Sequence, residues 1–103
     1  MSVTAPTTGA RWTSGTTQSI AWTSTAVSAG AFDAYLINTI TGVWYLAGST
    51  TAVPSQTSYS RSFSTIGIPL GAYTAYVSYR TNAAVWANWV AAVQSAPGAV
   101  TLQ

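Results

Sequence analysis

Leu70-Gly71-Ala72-Tyr73-Thr74-Ala75-Tyr76-Val77-Ser78-Tyr79-Arg80 is the stretch on which the fold of this chain turns. From Tyr73 onward, strand-favouring residues follow one another, so a strand over Tyr73–Arg80 is expected. Period-two alternation puts Tyr73, Ala75 and Val77 on one face and Tyr76, Ser78 and Arg80 on the other. The tract Leu70-Gly71-Ala72-Tyr73 resembles a tyrosine corner, in which a Tyr hydroxyl bonds back to the backbone a few residues upstream at the corner of a sandwich. On that reading Tyr73 is structural, and its face of the strand is the core side.

Working outward, the rest of the chain has the same texture. Glu and Lys are absent, and Thr, Ser, Val, Tyr and Trp dominate, so helix signals are nearly missing. Further strands are expected at Ser2–Ala5, Thr17–Thr23, Phe32–Asn38, Val43–Ala47, Tyr59–Phe63 and Trp86–Gln94, with a last one at Ala99–Leu102. Thr39-Ile40-Thr41-Gly42 reads as a hairpin turn, with Gly42 supplying the positive φ. About seven to eight short strands separated by Gly, Pro, Ser and Thr point to an all-β, immunoglobulin or fibronectin III-like antiparallel sandwich. A single domain over residues 1–103 is expected, without repeats or linkers. Alternation assigns Ile20, Trp22, Ala34 and Leu36 to the core, together with Phe63 and Ile66, and Trp12 is expected over the sandwich end.

The charges exclude more than they suggest. Asp33, Arg11, Arg61 and Arg80 are the charged residues, 4% of the chain, against about 25% in ordinary soluble domains. There is no His and no Lys, and a single carboxylate, so neither general acid–base pairs nor an activated Ser nucleophile can be assembled within one chain. Without Cys or His a zinc site is excluded, and no phosphate-cradling glycine loop is present. Neither an enzyme nor a cofactor is expected. The pI of 9.3 arises from three scattered Arg against one Asp, which makes no basic groove for nucleic acid. Mean hydropathy is +0.29, yet no run approaches the ~18 apolar residues of a spanning helix, and no membrane insertion is expected. Met1-Ser2-Val3-Thr4 shows neither a basic nor an apolar leader region, so a leaderless cytoplasmic protein is expected, or a secreted or cell-wall one if a leader was removed.

Pro6-x-x-Gly9-x-x-Trp12-x-x-Gly15-Thr16-Thr17-Gln18-x-Ile20-x-Trp22-Thr23 resembles the opening of the fungal cell-wall-synthesis domains found in Ser/Thr-rich GPI-anchored proteins. The tract from Tyr59 to Tyr76, which contains Ile68-Pro69-Leu70-Gly71-Ala72-Tyr73, is similar to the second half of that family. The resemblance implies an extracellular immunoglobulin-like sandwich associated with β-glucan or the cell wall. In general character, a small, cysteine-free, aromatic-rich sandwich also resembles the leaderless lectins of mushroom fruiting bodies.

With 13% aromatic residues and so little charge, the chain suits a neutral, hydroxyl-rich ligand. Aromatic faces cover the C–H side of a sugar ring, and a few placed polar groups orient it. If Leu36 faces the core, Asp33, Tyr35 and Ile37 face outward. In an immunoglobulin-like sandwich this strand lies antiparallel to Tyr73–Arg80, which brings Asp33 beside Arg80. The following segment adds Asn82, Trp86 and Asn88. The candidate site is therefore Asp33, Arg80, Asn82 and Asn88 as hydroxyl partners, with Tyr35 or Trp86 as the stacking surface. The plainer alternative is that Asp33–Arg80 is a surface ion pair. One of Trp86 and Trp89 is expected to be exposed, and one of Trp44 and Tyr45, as a glycan platform or a subunit contact. Arg11 and Arg61 read as solubilising residues. The function expected is a non-catalytic lectin for neutral glycans, of terminal galactose type, made multivalent as a homodimer or higher homo-oligomer. The alternative is a self-assembling structural subunit associated with β-glucan.

Overall fold

The computed structural model describes residues 1–85 and 89–103, and the described residues form nine strands and no helix. In chain order they are β1 (Ser2–Ala5), β2 (Ala10–Trp12), β3 (Thr17–Thr23), β4 (Ala31–Asn38), β5 (Trp44–Thr51), β6 (Ser58–Ser64), β7 (Gly71–Arg80), β8 (Trp89–Gln94) and β9 (Val100–Leu102). They make two sheets, β1-β3-β6 and β2-β9-β7-β4-β5, with β8 also paired to β7. The all-β sandwich expected from the sequence is what the chain forms.

Alternation builds the core between the sheets. In β3 and β6 the inward positions Ile20, Trp22, Tyr59 and Phe63 are buried, and the register sets Thr17 opposite Ser64 and Thr23 opposite Ser58 on the outer face. From the other sheet come Phe32, Ala34 and Leu36 of β4 and Tyr73, Ala75 and Val77 of β7, each at most 1% exposed. Trp22 stacks on Tyr59 at 5.9 Å between centroids, and Phe32 meets Tyr59 at 4.7 Å. Each such large apolar side chain withdrawn from water contributes about 1.5–3 kcal/mol.

The corner forms as the sequence indicates: the Tyr73 hydroxyl donates to the Pro69 carbonyl at 2.5 Å. The hairpin after β4 also forms. Asn38 Oδ1 accepts from the Ile40 and Thr41 amides at 2.9 and 3.0 Å, and Gly42 has a φ of 71°.

Ile66 departs from expectation. It is 76% exposed, while its neighbour Thr65 is fully buried. The Thr65 hydroxyl donates to the Thr16 carbonyl at 2.7 Å, and its amide donates to the same oxygen at 3.1 Å. That pair of bonds satisfies a buried Thr and turns Ile66 out. Trp12 is buried edge-to-face against Phe63, but on a strand the sequence did not announce: the three-residue β2, which runs parallel to β9. The strand expected at Val43–Ala47 extends to Thr51, because Ser49, Thr50 and Thr51 continue the pairing to Asp33, Phe32 and Ala31. Trp86 and Asn88, placed in the last long strand and in the candidate site, lie outside the described residues. No helix among the described residues is long and apolar enough to cross a membrane.

Candidate functional site

The outer face of the larger sheet is assembled by register. β4 sets Asp33, Tyr35 and Ile37 opposite Ser78, Tyr76 and Thr74 of β7, and opposite Ser49, Leu46 and Trp44 of β5. An irregularity between Ala34 and Tyr35 shifts the pairing with β5. The Trp44 indole reaches across β4 and meets Tyr76 at 4.7 Å and Tyr35 at 5.3 Å, both edge-on. Tyr35 and Tyr76 are 6.2 Å apart. Trp89 enters from β8, opposite Arg80. Asp33, Tyr35, Trp44, Tyr76, Ser78 and Trp89 together line a hollow of about 210 Å³.

Asp33 and Arg80 do converge, as alternation requires. Arg80 Nε donates to Asp33 Oδ2 at 3.0 Å, and a second guanidinium nitrogen donates to Oδ1 at 3.2 Å. Ser49 donates to Oδ1 at 2.6 Å, and Arg80 Nη1 donates to the Ala83 carbonyl at 2.6 Å. The pair is not a surface ion pair, however: Asp33 is 2% and Arg80 5% exposed. Burial follows from the neighbours. Tyr35 and Ser49 flank the carboxylate, and the chain after β7 turns back so that Ala83 meets the guanidinium. The hollow is thus lined by one negative group, Asp33, whose charge is neutralised by the Arg80 guanidinium behind it.

Tyr35 titrates above its ordinary value. Burial is the main cause, the Asp33 charge and Tyr76 add to it, and Arg80 partly offsets it. Its phenol is therefore neutral at physiological pH and can both donate and accept. The Tyr35, Tyr76 and Ser78 hydroxyls have no hydrogen-bond partner among the described residues.

Of the residues expected at the site, Asp33 and Tyr35 line the hollow and Arg80 supports Asp33 from beneath. Asn82 does not line it. Its Oδ1 accepts the Ala84 amide at 2.9 Å and shapes the turn after β7. Trp44, the more exposed of the Trp44–Tyr45 pair for which a glycan platform or subunit contact is expected, lines the hollow, as does the exposed Trp89; Tyr76 and Ser78 join them with no site role expected from the sequence. Tyr76 was legible, since it shares parity with Arg80 and falls opposite an outward Tyr35. Among the described residues no group of His, Cys, Asp and Glu could hold a metal ion. Compared with known protein families, with curated proteins and with solved structures, the chain matches none.

Proposed function

We propose that this chain is a non-catalytic carbohydrate-binding protein, a lectin whose hollow takes one sugar ring of a neutral glycan. The observation that carries the reading is the combination of aromatic walls with a neutralised carboxylate. Tyr35, Trp44 and Tyr76 present ring edges and faces to an amphipathic ring, and the Asp33–Arg80 pair leaves no net charge to attract an ion. A carboxylate has about four lone-pair sites, and Asp33 accepts three bonds from Arg80 and Ser49, leaving one for a ligand hydroxyl. Ser78 and the two phenols supply further hydroxyl partners. The hollow's 210 Å³ is below the ~300–1,000 Å³ of sites for drug-sized ligands, which suits one terminal ring and not an extended chain. A galactose-type ring is the first choice, because its continuous apolar face stacks on aromatics.

The sandwich itself is read as immunoglobulin-like, with β4 and β7 as central antiparallel neighbours and Tyr73 as the corner. A single shallow site binds weakly, so linked sites in a homo-oligomer would supply avidity. One observation favours the second reading, a self-assembling subunit of the β-glucan-associated kind: β8 presents an outer edge with no charged residue and no Pro.

A glycan array of the purified protein, repeated with Trp44→Ala, tests the leading reading. Trp44 is half exposed, so its loss removes a wall and leaves the core intact. Selective binding abolished by the substitution is the expected result. Binding to no glycan, or equal binding by the variant, overturns the site.

A further inference from the structure

Four aliphatic side chains project from one end of the sandwich and pack against nothing that explains them. Ile40 is 89% exposed and Val43 45%, both in the β4–β5 hairpin, while Ile66 is 76% and Leu70 63% exposed in the β6–β7 loop. The two loops sit side by side. The Thr39 amide and hydroxyl both donate to the Ala72 carbonyl, at 3.1 and 3.2 Å, and Asn38 pairs with Tyr73. The corner bond from Tyr73 to Pro69 fixes the second loop at the same end. Neither loop contains a charged residue, and the Asp33–Arg80 pair lies toward the opposite end of β4 and β7, where Ala31 pairs with Arg80.

From this arrangement we propose that the Ile40–Val43 and Ile66–Leu70 loop tips dock into the surface of an uncharged, zwitterionic lipid bilayer. Three features favour lipid over a protein partner. The side chains stand on the tips of separate loops and not on a flat sheet face. They are aliphatic, whereas the residues that dominate protein interfaces are Trp, Tyr and Arg. Thr41 and Ser64, both exposed, accept the Val43 and Ile66 amides at 3.3 and 3.2 Å, so each hydroxyl keeps its proton to donate to a headgroup phosphate oxygen. The absence of Lys and Arg from both loops argues against anionic headgroups, which recruit basic clusters. Such docking buries apolar groups about 5–10 Å deep and needs no spanning segment. It stands apart from the glycan reading, since it requires no sugar.

The test is co-sedimentation with vesicles of pure phosphatidylcholine, which carry no sugar headgroup. Wild-type protein is expected in the pellet. The triple variant Ile40→Ser, Ile66→Ser, Leu70→Ser should bind about tenfold less or weaker still. Val53→Ser, at an exposed apolar position near the Gly30 end, should pellet like wild type. The chain has no Cys, so Ile40→Cys also accepts a single polarity-sensitive dye, whose emission should shift to the blue on adding vesicles. Wild type left in the supernatant overturns the proposal, as does a triple variant that pellets equally or a dye that does not respond. Binding that appears only with anionic lipid and disappears with salt would overturn it as well. So would a triple variant that changes oligomeric size without vesicles while its partition is unaltered, which would make this end a contact between copies.

Discussion

Asp33 lines the hollow with three of its acceptor sites filled, and Arg80 reaches it with two nitrogens from the neighbouring strand. Removing one partner of a buried pair strands the other charge, which costs about 3–5 kcal/mol, whereas exposed pairs are worth well under that. Asp33→Ala is therefore expected to lower stability by ~3–5 kcal/mol, read as a fall in denaturant midpoint with unchanged slope. Ser49→Ala removes one hydrogen bond to a charged group and should cost about 1.5–3 kcal/mol. An Asp33 variant that loses glycan binding would thus report on folding as much as on contact, which is why Trp44 carries the binding test. Tyr35 yields a separate prediction. Its phenol is raised in the folded state, so the unfolded chain gives up that proton first as pH rises through ~10. The stabilisation is complete below that point and is lost as pH climbs through the folded value. Alkaline unfolding should begin later in Tyr35→Phe than in wild type, by denaturation measured across that range; identical profiles would remove Tyr35 from the account. The convergence of Asp33 and Arg80 was legible in alternation alone, because parity and strand order decide it. Their burial was not, because Ala83 closes over the guanidinium through a turn whose path no periodicity encodes.

At the scale of elements, the strands are held by a few hydroxyl-to-backbone bonds at their ends. Tyr73 bonds Pro69, Tyr79 bonds the Ala29 carbonyl at 2.6 Å, and the Tyr59 hydroxyl accepts the Val53 amide at 3.1 Å. Tyr73 is wholly buried, so Tyr73→Phe leaves the Pro69 carbonyl without this donor and should cost about 1–3 kcal/mol. A thermal midpoint equal to wild type would deny the corner its role. Gly30 precedes β4 at a φ of 101°, and a Cβ there would strike the Arg80 carbonyl oxygen and lie 2.9 Å from the Tyr79 ring. Gly30→Ala should therefore destabilise by roughly 2–4 kcal/mol, through strain and displacement of Tyr79 together. The long strands were readable because each shows several turns of alternation. β2 was not, since three residues show no period and its pairing with β9 is a long-range event. The phase of β5 was hidden for another reason. The irregularity beside Tyr35 resets its register, and that shift is what brings Trp44 over β4 to Tyr76. Ile66 misled because an apolar residue beside a strand end reads as core, while the buried place went to Thr65 with its two bonds to Thr16.

Across the whole molecule, scarce charge shapes how the chain meets other copies. An open sheet edge invites pairing unless something blunts it, and natural sheets use charge, Pro, short strands or irregular register. β1 is four residues long and is followed by Pro6, β2 carries Arg11, and β6 carries Arg61 at an inward position. The same Arg61 side chain lies against Gly48 of β5, where a Cβ would collide with it. One cation therefore blunts two facing edges, a structural duty beyond solubilisation. β8 has neither charge nor Pro: Trp89-Val90-Ala91-Ala92-Val93-Gln94 is uncharged, its one irregularity is at its start, where Val90 falls between the residues paired to Arg80 and Tyr79, and Trp89 and Val90 are 59% and 65% exposed. If copies associate through this edge, Val90→Lys should shift the sedimentation profile toward monomer, while a charge at Val53, near the Gly30 end, should leave it unaltered. The concentration dependence then separates the two functional readings. Antiparallel pairing of one β8 with another is two-fold and closes at a dimer, which gives two hollows and the avidity a weak sugar site needs. Head-to-tail pairing of β8 with a different edge does not close by itself, and size should keep rising with concentration, as a structural subunit requires. Sugar binding at the hollow should in either case vary little with ionic strength, because Asp33 and Arg80 already neutralise each other at 3.0 Å and screening has nothing further to act on. A steep salt dependence of glycan affinity would mean that Arg80 is released to the ligand and that the locked pair does not persist in the bound state.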